Sequence, residues 1–319
     1  ERDSEGLYHG LIEANRIVKE LSGNELQPTI GNLAIKYFQS RIPDGVECWK
    51  SPEGLRDVLY AQLKRGGYCW AQKQYHGPVW KYDLNQAYAA AMRDAALPQG
   101  NCARTDKYEL GFPAVYKVVM SRAVESLIPF YYRTVDKNLG YFTCGAECET
   151  WVTSSEYDHL IADHWTVEIE DGYVWDKSFN MSDMVNDLEK LRFTDPQGSS
   201  GPLGTMVKMI GNNAYGKTLE QLEGVDLVFA RQCPPEYIPY MPENKDMDFV
   251  FCKFNEPLKR VYHQPQIGVF ITAHVRILVR EAALKYPENF VYADTDCVVF
   301  DCPVTHLHID PRQYGAWKQ

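Results

Sequence analysis

Residues Tyr292-Ala293-Asp294-Thr295-Asp296 place two carboxylates one residue apart inside an otherwise apolar run. The flanks, 289–292 and 297–300, are rich in β-branched and aromatic residues, so they predict two strands joined by a tight turn at Asp294-Thr295. Two acidic side chains beside strands that favour burial are unstable unless a cation meets them. A divalent metal is the usual cation in such a place, and an ordinary Asx turn is the alternative.

The composition is that of a soluble globular protein. Of the 319 residues, 45% are hydrophobic and 24% charged, and no apolar run approaches the ~18 residues of a membrane span. The formal net charge of −10 argues against a protein that coats nucleic acid by bulk electrostatics. A local basic groove remains compatible with that charge.

The ends of the chain and its cysteines give two further expectations. The chain starts at Glu1 without an initiator Met, so we expect a piece of a longer protein. Its nine scattered cysteines favour a reducing compartment over a disulfide framework. Cys144, Cys148, His159 and His164 loosely resemble a zinc finger, but the spacer of ten residues is shorter than the usual ~12. Buried or half-buried thiols are the preferred interpretation.

Hydrophobic periodicity and turn signals outline an α+β chain. Helices are predicted at 5–22, 33–40, 52–64, 86–95, 182–192, 203–215 and 271–285. The Gly- and Pro-rich linker 194–202 predicts that the fifth and sixth of these helices form an antiparallel hairpin. Residues 100–180 predict an α+β insertion, 218–265 a second insertion of strands and loops, and 43–45 a polar connection.

A second acidic position stands at Tyr82-Asp83-Leu84-Asn85-Gln86-Ala87-Tyr88. A short strand at 79–82 runs into Asp83, and a helix is predicted to begin directly afterwards. This order presents a carboxylate and free helix N–H groups to the same space. The alternative is that Asp83 or Asn85 merely caps the helix.

A third segment carries polar residues along one helix stripe. At ~100° per residue, Lys208, Asn212 and Tyr215 lie within about 60° of one another, while Val207, Ile210 and Ala214 face the opposite side and should pack inward. A cation, an amide and an aromatic ring suit a nucleotide. A solvated polar face is the alternative for this segment alone.

The three segments together fit one site. Asp83 and Asp296, from different strands, can supply carboxylates to two metals ~3.5–4 Å apart, and Lys208 can neutralise phosphate charge. Such an arrangement is typical of nucleotidyl transfer.

At these residues the chain resembles a family B DNA polymerase. Residues 82–88 resemble motif A (D-x-x-S-L-Y-P), Lys208 to Gly216 match motif B (K-x-x-x-N-x-x-Y-G), and Tyr292 to Cys297 resemble motif C (Y-x-D-T-D-S), in the family's order. Arg65-Gly66-Gly67, Gly268-Val269-Phe270-Ile271-Thr272-Ala273 and 310–317 are similar to elements of the protein-primed bacteriophage polymerases. Departures from the motifs include Ala87, Ala89 and Cys297, and Lys64 where the Y-x-G-G tyrosine would stand.

The resemblance implies roles for individual residues. Asp83, Asp296 and the Leu84 carbonyl would bind two Mg²⁺ ions, with Mn²⁺ as a substitute, and Asp294 would be an accessory carboxylate. Tyr88 would stack under the deoxyribose and exclude a 2′-hydroxyl, Lys208 would bind triphosphate, and Asn212 and Tyr215 would line the nascent base pair. DNA contacts would come from Arg65, Gly66, Gly67, Gly216 and Gly268.

The same resemblance implies a right-hand architecture. It assigns the end of an exonuclease domain and connecting helices to 1–45, palm to 46–99 and 266–319, fingers to 182–217, and regions similar to terminal-protein regions 1 and 2 to 100–181 and 218–265, with the thumb absent. The expected partners are primer-template DNA, dNTPs and a terminal priming protein, with no membrane, in the cytoplasm of an infected bacterial cell. A polymerase that starts chains without a primer and a non-catalytic nucleic-acid-binding replication scaffold are the alternatives.

Overall fold

The computed structural model describes residues 2–23, 25–39, 52, 54–72, 74–134, 136–194, 198–220, 225–229, 237–239, 249–254 and 262–319 of the chain. In these residues the α-helices are α1 (Arg2–Ser22), α2 (Ile30–Gln39), α3 (Leu55–Asp57), α4 (Ala87–Asp94), α5 (Ser154–Ala162), α6 (Ser182–Arg192), α7 (Pro202–Thr218) and α8 (Pro265–Leu284). A π-helix, Val58–Leu63, continues α3, and a 3₁₀ turn covers Pro287–Asn289.

The strands of the same residues fall into four sheets. They are β1 (Tyr68–Ala71), β2 (Trp80–Leu84), β3 (Leu97–Thr105), β4 (Ala114–Arg122), β5 (Phe130–Arg133), β6 (Leu139–Phe142), β7 (Gly145–Thr153), β8 (Thr166–Phe179), β9 (Val225–Phe229), β10 (Tyr237–Pro239), β11 (Phe249–Phe254), β12 (Phe290–Thr295), β13 (Cys297–Phe300) and β14 (Trp317–Lys318).

A five-stranded antiparallel sheet, in the order β1-β12-β13-β2-β14, carries the predicted acidic residues. Along β12 the side chains of Phe290, Val291 and Ala293 are buried, while Tyr292 and Asp294 are exposed. Helix α8, which is buried along most of its length, packs on β1, β12 and β13 and supplies the apolar cover. The expected α+β class with an antiparallel palm-like sheet is confirmed.

The 100–180 insertion forms a sheet of its own, in the order β3-β8-β4-β7. Its small separate core includes Tyr116, Met120, Val152 and Trp165. Helix α5 packs on this sheet and also contacts α8, so the insertion is joined to the central sheet through a helix–helix interface.

The predicted helical hairpin is α6 and α7, which pack against each other. Pro202 at the first turn of α7 follows Gly201, in agreement with the preference of proline for helix starts. Val207, Ile210 and Ala214 are buried, so the predicted inward face of α7 is confirmed. Residues 195–197 of the linker lie outside the described residues.

Several predicted boundaries differ from the structure. The helix predicted at 52–64 is a short α-helical turn followed by a π-helix. The helix predicted from Ile271 begins six residues earlier, at Pro265, and the helix predicted from Leu33 begins at Ile30. In the second insertion β9, β10 and β11 form a three-stranded sheet, in agreement with the predicted strands. The polar connection predicted at 43–45 lies outside the described residues.

Membrane-spanning helices are lacking in the described part of the chain, where no helix has the necessary length and apolar content.

Candidate active site

The acidic hairpin turns one residue later than the sequence predicts. Asp294 pairs with Cys297 across β12 and β13, so the turn residues are Thr295 and Asp296 rather than Asp294 and Thr295. Thr295 has a φ of 60°, in the left-handed region that two-residue hairpin turns commonly require, and the Asp296 N–H donates to the Asp294 carbonyl at 2.7 Å. Asp296 therefore lies on the turn and not within a strand.

Asp83 lies beside Asp296. Strand β2 pairs with β13 and places Asp83 opposite Cys297, and the Leu84 N–H donates to the Asp296 carbonyl at 2.8 Å. Burial and the negative charge of Asp83 raise the pKa of Asp296 above its usual value. Lys81 Nζ lies 3.5 Å from Asp83 Oδ1 and offsets part of this negative charge. The hard carboxylate oxygens of Asp83 and Asp296 fit a divalent cation.

Asp294 has a different environment. It is exposed, and its carboxylate accepts hydrogen bonds from the Cys69 thiol at 3.2 Å and from the Thr295 hydroxyl at 3.1 Å. These two hydrogen bonds lower the pKa of Asp294. In the described residues, no group of three His, Cys, Asp or Glu side chains is placed to hold a metal. Asp83 and Asp296 remain a pair of neighbouring carboxylates, and the Leu84 carbonyl follows Asp83 directly.

Cys297 separates the two acidic strands. It stands opposite both Asp294 and Asp83 in the antiparallel register and is buried. Burial, with a smaller contribution from Asp83, raises the pKa of Cys297 to about 12. Burial therefore favours the neutral thiol over the thiolate in the metal-free site.

Two tyrosine rings from different predicted motifs stack beside the carboxylates. The rings of Tyr88 on α4 and Tyr215 on α7 have centroids 4.2 Å apart and planes inclined by 10°. Burial raises the pKa of both tyrosines, and the charge of Asp296 contributes to each shift. The structure thus brings Tyr88, Tyr215 and Asp296 into one electrostatic neighbourhood.

The polar stripe of α7 is accessible. Lys208 and Asn212 are exposed and Tyr215 is half-buried. A cavity of about 540 Å³ opens beside this stripe. The predicted site residues that line this cavity are Arg65, Gly66, Tyr88, Asn212, Tyr215 and Gly216. Other lining residues include Lys64, Lys217 and Thr272. Four predicted site residues are not part of its lining: Asp83, Leu84, Lys208 and Asp296.

Two of the predicted DNA contacts do not fit their surroundings. The Arg65 guanidinium is buried, with Nη2 at 2.8 Å from Glu156 Oε2 and Nη1 donating to the Tyr131 carbonyl at 2.9 Å, so it cannot reach a phosphate. Gly268 is buried within α8, where a Cβ atom would lie 2.4 Å from Leu219 Cγ. It serves close packing of α8 rather than contact with DNA.

Six basic residues stand near the three motifs in the sequence, namely Lys64, Arg65, Lys208, Lys217, Arg276 and Arg280. Arg276 and Arg280 are buried and ion-paired, with Glu156 and Asp163 respectively. Lys217 Nζ lies 2.6 Å from Glu220. Of the cations named for this region, Lys64 and Lys208 remain accessible, and Lys64 Nζ lies 5.8 Å from the centroid of the Tyr60 ring.

The remaining glycines of the predicted DNA surface have separate roles. Gly66 and Gly216 are exposed, and a Cβ atom on either would meet nothing within 4 Å. A Cβ atom on Gly67 would lie 2.6 Å from Thr295 Cα, so glycine allows this loop to touch the hairpin turn.

The contacts of two buried polar residues were not identified from sequence. Asn85 does not cap α4, whose N-cap residue is Gln86; it is buried and donates to the carbonyls of Pro311 and Gln313 at 3.1 and 3.0 Å. Glu156 binds two buried arginines, although the sequence around it, Thr153 to Glu156, reads only as a local capping box. The partners of Asn85 and of Glu156 cannot be identified without knowledge of the fold.

The zinc-finger-like residues do not converge on a metal in the described residues. His159 is buried, with Nε2 at 2.7 Å from Arg280 Nη1 and Nδ1 at 3.4 Å from Glu281 Oε1. Cys144 is exposed and Cys148 half-buried.

The fold and the motifs on it define a family. Residues 11–232 match the family of type B DNA polymerases, organellar and viral, and the chain belongs to it.

Particular relatives are DNA polymerases of phages and of a fungus. The DNA polymerase of Bacillus phage phi29 is 24% identical over 284 residues, which cover 82% of this chain and 46% of that protein. A probable DNA polymerase of Ascobolus immersus is 21% identical over 301 residues, covering 88% of this chain and 24% of that protein. The chain thus spans about half the length of the phage relative.

Solved structures share the fold. Phi29 DNA polymerase complexed with primer-template DNA and incoming nucleotide substrates superposes with a TM-score of 0.66 at 20% identity, covering 91% of this chain and 52% of that one. Phi29 DNA polymerase complexed with single-stranded DNA gives a TM-score of 0.65 at 21% identity over 92% of this chain and 52% of that one.

Proposed function

We propose that this chain is the palm-and-fingers core of a DNA-dependent DNA polymerase that transfers dNTPs to a 3′-hydroxyl by a two-metal mechanism. The observation that carries the proposal is the Asp83–Asp296 pair, brought together from β2 and the hairpin turn with the pKa of Asp296 raised. Family membership supports the same reaction class. A pair of carboxylates beside an open polar helix face is suited to phosphoryl chemistry.

The metal-binding role falls to hard oxygen atoms. Asp83, Asp296 and the Leu84 carbonyl hold Mg²⁺, or Mn²⁺ in its place, and Asp294 supports them from the adjacent strand. Two cations held there would activate the attacking 3′-hydroxyl and stabilise the pyrophosphate that leaves the α-phosphorus. Carboxylate and carbonyl oxygens are the donors that Mg²⁺ and Mn²⁺ prefer.

The nucleotide is held by the α7 stripe and the tyrosine stack. Lys208 supplies positive charge to the triphosphate from an exposed position, and Asn212 and Tyr215 line the nascent base pair. Tyr88 stacks on Tyr215 at 4.2 Å, and this fixed ring lies under the sugar and excludes a 2′-hydroxyl.

The DNA approaches through the cavity beside α7. Gly66 and Gly216 leave open backbone there, and Lys64 offers a cation at its edge. Residues 46–99 and 266–319 form the palm, 182–217 the fingers, and 1–45 the end of a preceding exonuclease domain. The insertions 100–181 and 218–265 contact a terminal priming protein and the template, in the cytoplasm of an infected bacterial cell.

Primer extension tests the function. The purified protein is incubated with Mg²⁺, four dNTPs and a primed template, beside Asp83→Asn as the inactive variant. Template-dependent extension by the wild type alone supports the proposal. No extension on any substrate would favour the alternative of a replication scaffold.

The priming mode needs two further substrates in the same assay. Unprimed template alone, and unprimed template with a candidate priming protein, separate chain starts without a primer from chain starts on a protein hydroxyl. Products covalently linked to the added protein support protein priming, whereas free products from unprimed template support a primer-independent polymerase.

A further inference from the structure

Glu156 joins the 100–181 insertion to the central sheet. It lies in the first turn of α5 and is 1% exposed. Its Oε2 atom is 2.8 Å from Arg65 Nη2, and its Oε1 atom is 2.9 Å from Arg276 Nη2. One carboxylate thus bridges two arginines, one before β1 and one on α8.

Arg276 links Glu156 to the backbone of the loop before β1. Its Nη1 donates to the carbonyls of Arg65 at 3.3 Å and Gly66 at 3.2 Å. The next residue, Gly67, lies so close to Thr295 that a Cβ atom would be 2.6 Å from Thr295 Cα. The contacts therefore run from Glu156 through Arg276 to the loop 65–67 and then to the turn that carries Asp296.

The charge of Glu156 is essential to this set of contacts. Burial acts to raise the pKa of Glu156, but Arg65 and Arg276 outweigh it and lower the pKa to about 2. Burial in turn lowers the pKa of Arg65 to about 10, so Arg65 stays charged at neutral pH. Without the carboxylate, two cations would remain close together in a buried place, which is strongly destabilising.

We propose that Glu156 is a positioning residue, which holds the loop 65–67 against the hairpin turn and thereby fixes Asp296 relative to Asp83. The inference rests on the proposed polymerase function for its kinetic consequence, and on geometry alone for the loop. It gives the insertion a role in the chemistry, because an ion pair from α5 supports a metal-binding turn on another sheet.

A second buried ion pair supplies a matched control. Asp163 directly follows α5, and its Oδ2 lies 2.5 Å from Arg280 Nη2 on the same helix α8 and 3.2 Å from Arg122 Nη1. Arg280 also donates to the carbonyls of Ile128 and Pro129. These contacts tie the insertion to α8 but do not involve the loop 65–67.

The first test is amide hydrogen exchange in Glu156→Gln and Asp163→Asn, which needs no activity. Glu156→Gln should speed exchange at 65–68 and 294–297 by at least about tenfold, and Asp163→Asn should leave both segments unchanged. Equal loss of protection in both variants, or none in Glu156→Gln, would overturn the proposal. If Glu156→Gln does not fold, Arg276→Lys keeps a cation beside Glu156 but loses the fork to the two carbonyls, and the same exchange pattern is expected.

The second test separates positioning from stability in the primer-extension reaction. Glu156→Gln should lower kcat by about 10²-fold with little change in KM for dNTP, because a small misplacement of reacting groups acts on the chemical step. Asp163→Asn should keep kcat, and a fall in kcat as large as that of Glu156→Gln would contradict the proposal. A wild-type protein without activity would refute the polymerase function, while the exchange result would still decide the role of Glu156.

Discussion

Asp296 carries the clearest mark of function at the scale of single residues. Its pKa is raised by burial and by Asp83, while the pKa of Asp294 two residues earlier is lowered by its hydrogen bonds to Cys69 and Thr295. Folding therefore disfavours the charge on one carboxylate and favours the charge on the other. A carboxylate whose negative charge destabilises the folded protein is typical of functional sites.

Replacing Asp296 should stabilise the metal-free protein. Because the pKa of Asp296 is higher in the folded than in the unfolded protein, the ionised side chain destabilises the fold. This penalty is absent below the unfolded-state pKa of ~3.9 and complete above the folded-state pKa, so it acts in full at pH 7. Asp296→Asn should therefore raise Tm in EDTA at pH 7 and have less effect at pH 4. Thermal unfolding monitored by circular dichroism measures both.

Asp294→Asn is the matched control and should have the opposite sign. The pKa of Asp294 is lower in the folded than in the unfolded protein, so its ionised carboxylate stabilises the fold at pH values above the unfolded-state pKa. That stability is lost as the pH falls through the folded-state pKa. The variant should not raise Tm at pH 7. Equal stabilisation by the two variants would contradict the opposite pKa shifts of Asp294 and Asp296.

Tyr88 should control sugar selection. Tyr88→Val removes the ring that stacks on Tyr215, so discrimination against ribonucleotides should fall by about 10–200-fold, the range for a change of one small group in a pocket. Tyr88→Phe keeps the ring and should retain most of the discrimination. Competition between rNTPs and dNTPs in single-nucleotide incorporation measures the ratio, and unchanged selectivity in Tyr88→Val would remove this role.

Sequence identified the acidic residues but not the partners of the arginines. Asp83 and Asp296 stand out because apolar strands flank them, which is a local pattern. Arg65 reads as a surface cation beside two glycines, and its partner Glu156 lies 91 residues away. The burial of Arg65 follows from the packing of α5 on α8, which no local pattern encodes.

At the scale of elements, helix contacts explain why glycine is needed at one position and only tolerated at another. Gly268→Ala should destabilise the protein by about 1–3 kcal/mol, because the added Cβ would lie 2.4 Å from Leu219 Cγ and 2.5 Å from Thr218 Oγ1. Gly216→Ala on α7 meets nothing within 4 Å and should stabilise by roughly 0.5–1 kcal/mol. Urea unfolding of both variants checks the signs, and a neutral Gly268→Ala would contradict the close α7–α8 packing.

The element boundaries show what sequence patterns can determine. Helix α6 matches its prediction at both ends, since its apolar period is clear and a turn-rich linker follows it. The start of α8 was placed too late because the apolar residues Ile267, Val269 and Phe270 follow Pro265 without a polar face that would mark helical periodicity. The hairpin turn is predicted one residue too early because Asp294 is a residue type that favours turns. In the structure Thr295, at positive φ, is the first turn residue.

At the scale of the whole molecule, the net charge of −10 limits how DNA can bind. Because Arg65, Arg276 and Arg280 are buried in ion pairs, they do not offset the acidic surface. DNA binding should depend on a few accessible lysines, of which Lys64 lines the large cavity.

Lys64 should account for one phosphate contact. The dependence of log K on log salt concentration should become less steep by roughly 0.7–0.9 in Lys64→Ala, as expected for one lost phosphate contact. Lys285→Ala, at the C-terminal end of α8, is the surface control and should leave the slope unchanged. Fluorescence anisotropy of labelled primer-template between about 50 and 200 mM KCl measures the slopes, and identical slopes would remove Lys64 from the DNA surface.

The most direct test of the two-carboxylate site is the rate of single-nucleotide incorporation under rapid-quench conditions. Asp83→Asn and Asp296→Asn should each lower the rate by at least about 10³-fold, as expected for loss of a group that stabilises the transition state. Asp294→Asn, whose carboxylate is exposed and paired with Cys69, should lower it by about tenfold or less. Equal losses in all three variants, or a wild-type rate retained in Asp83→Asn or Asp296→Asn, would contradict the assignment of the metal site to Asp83 and Asp296.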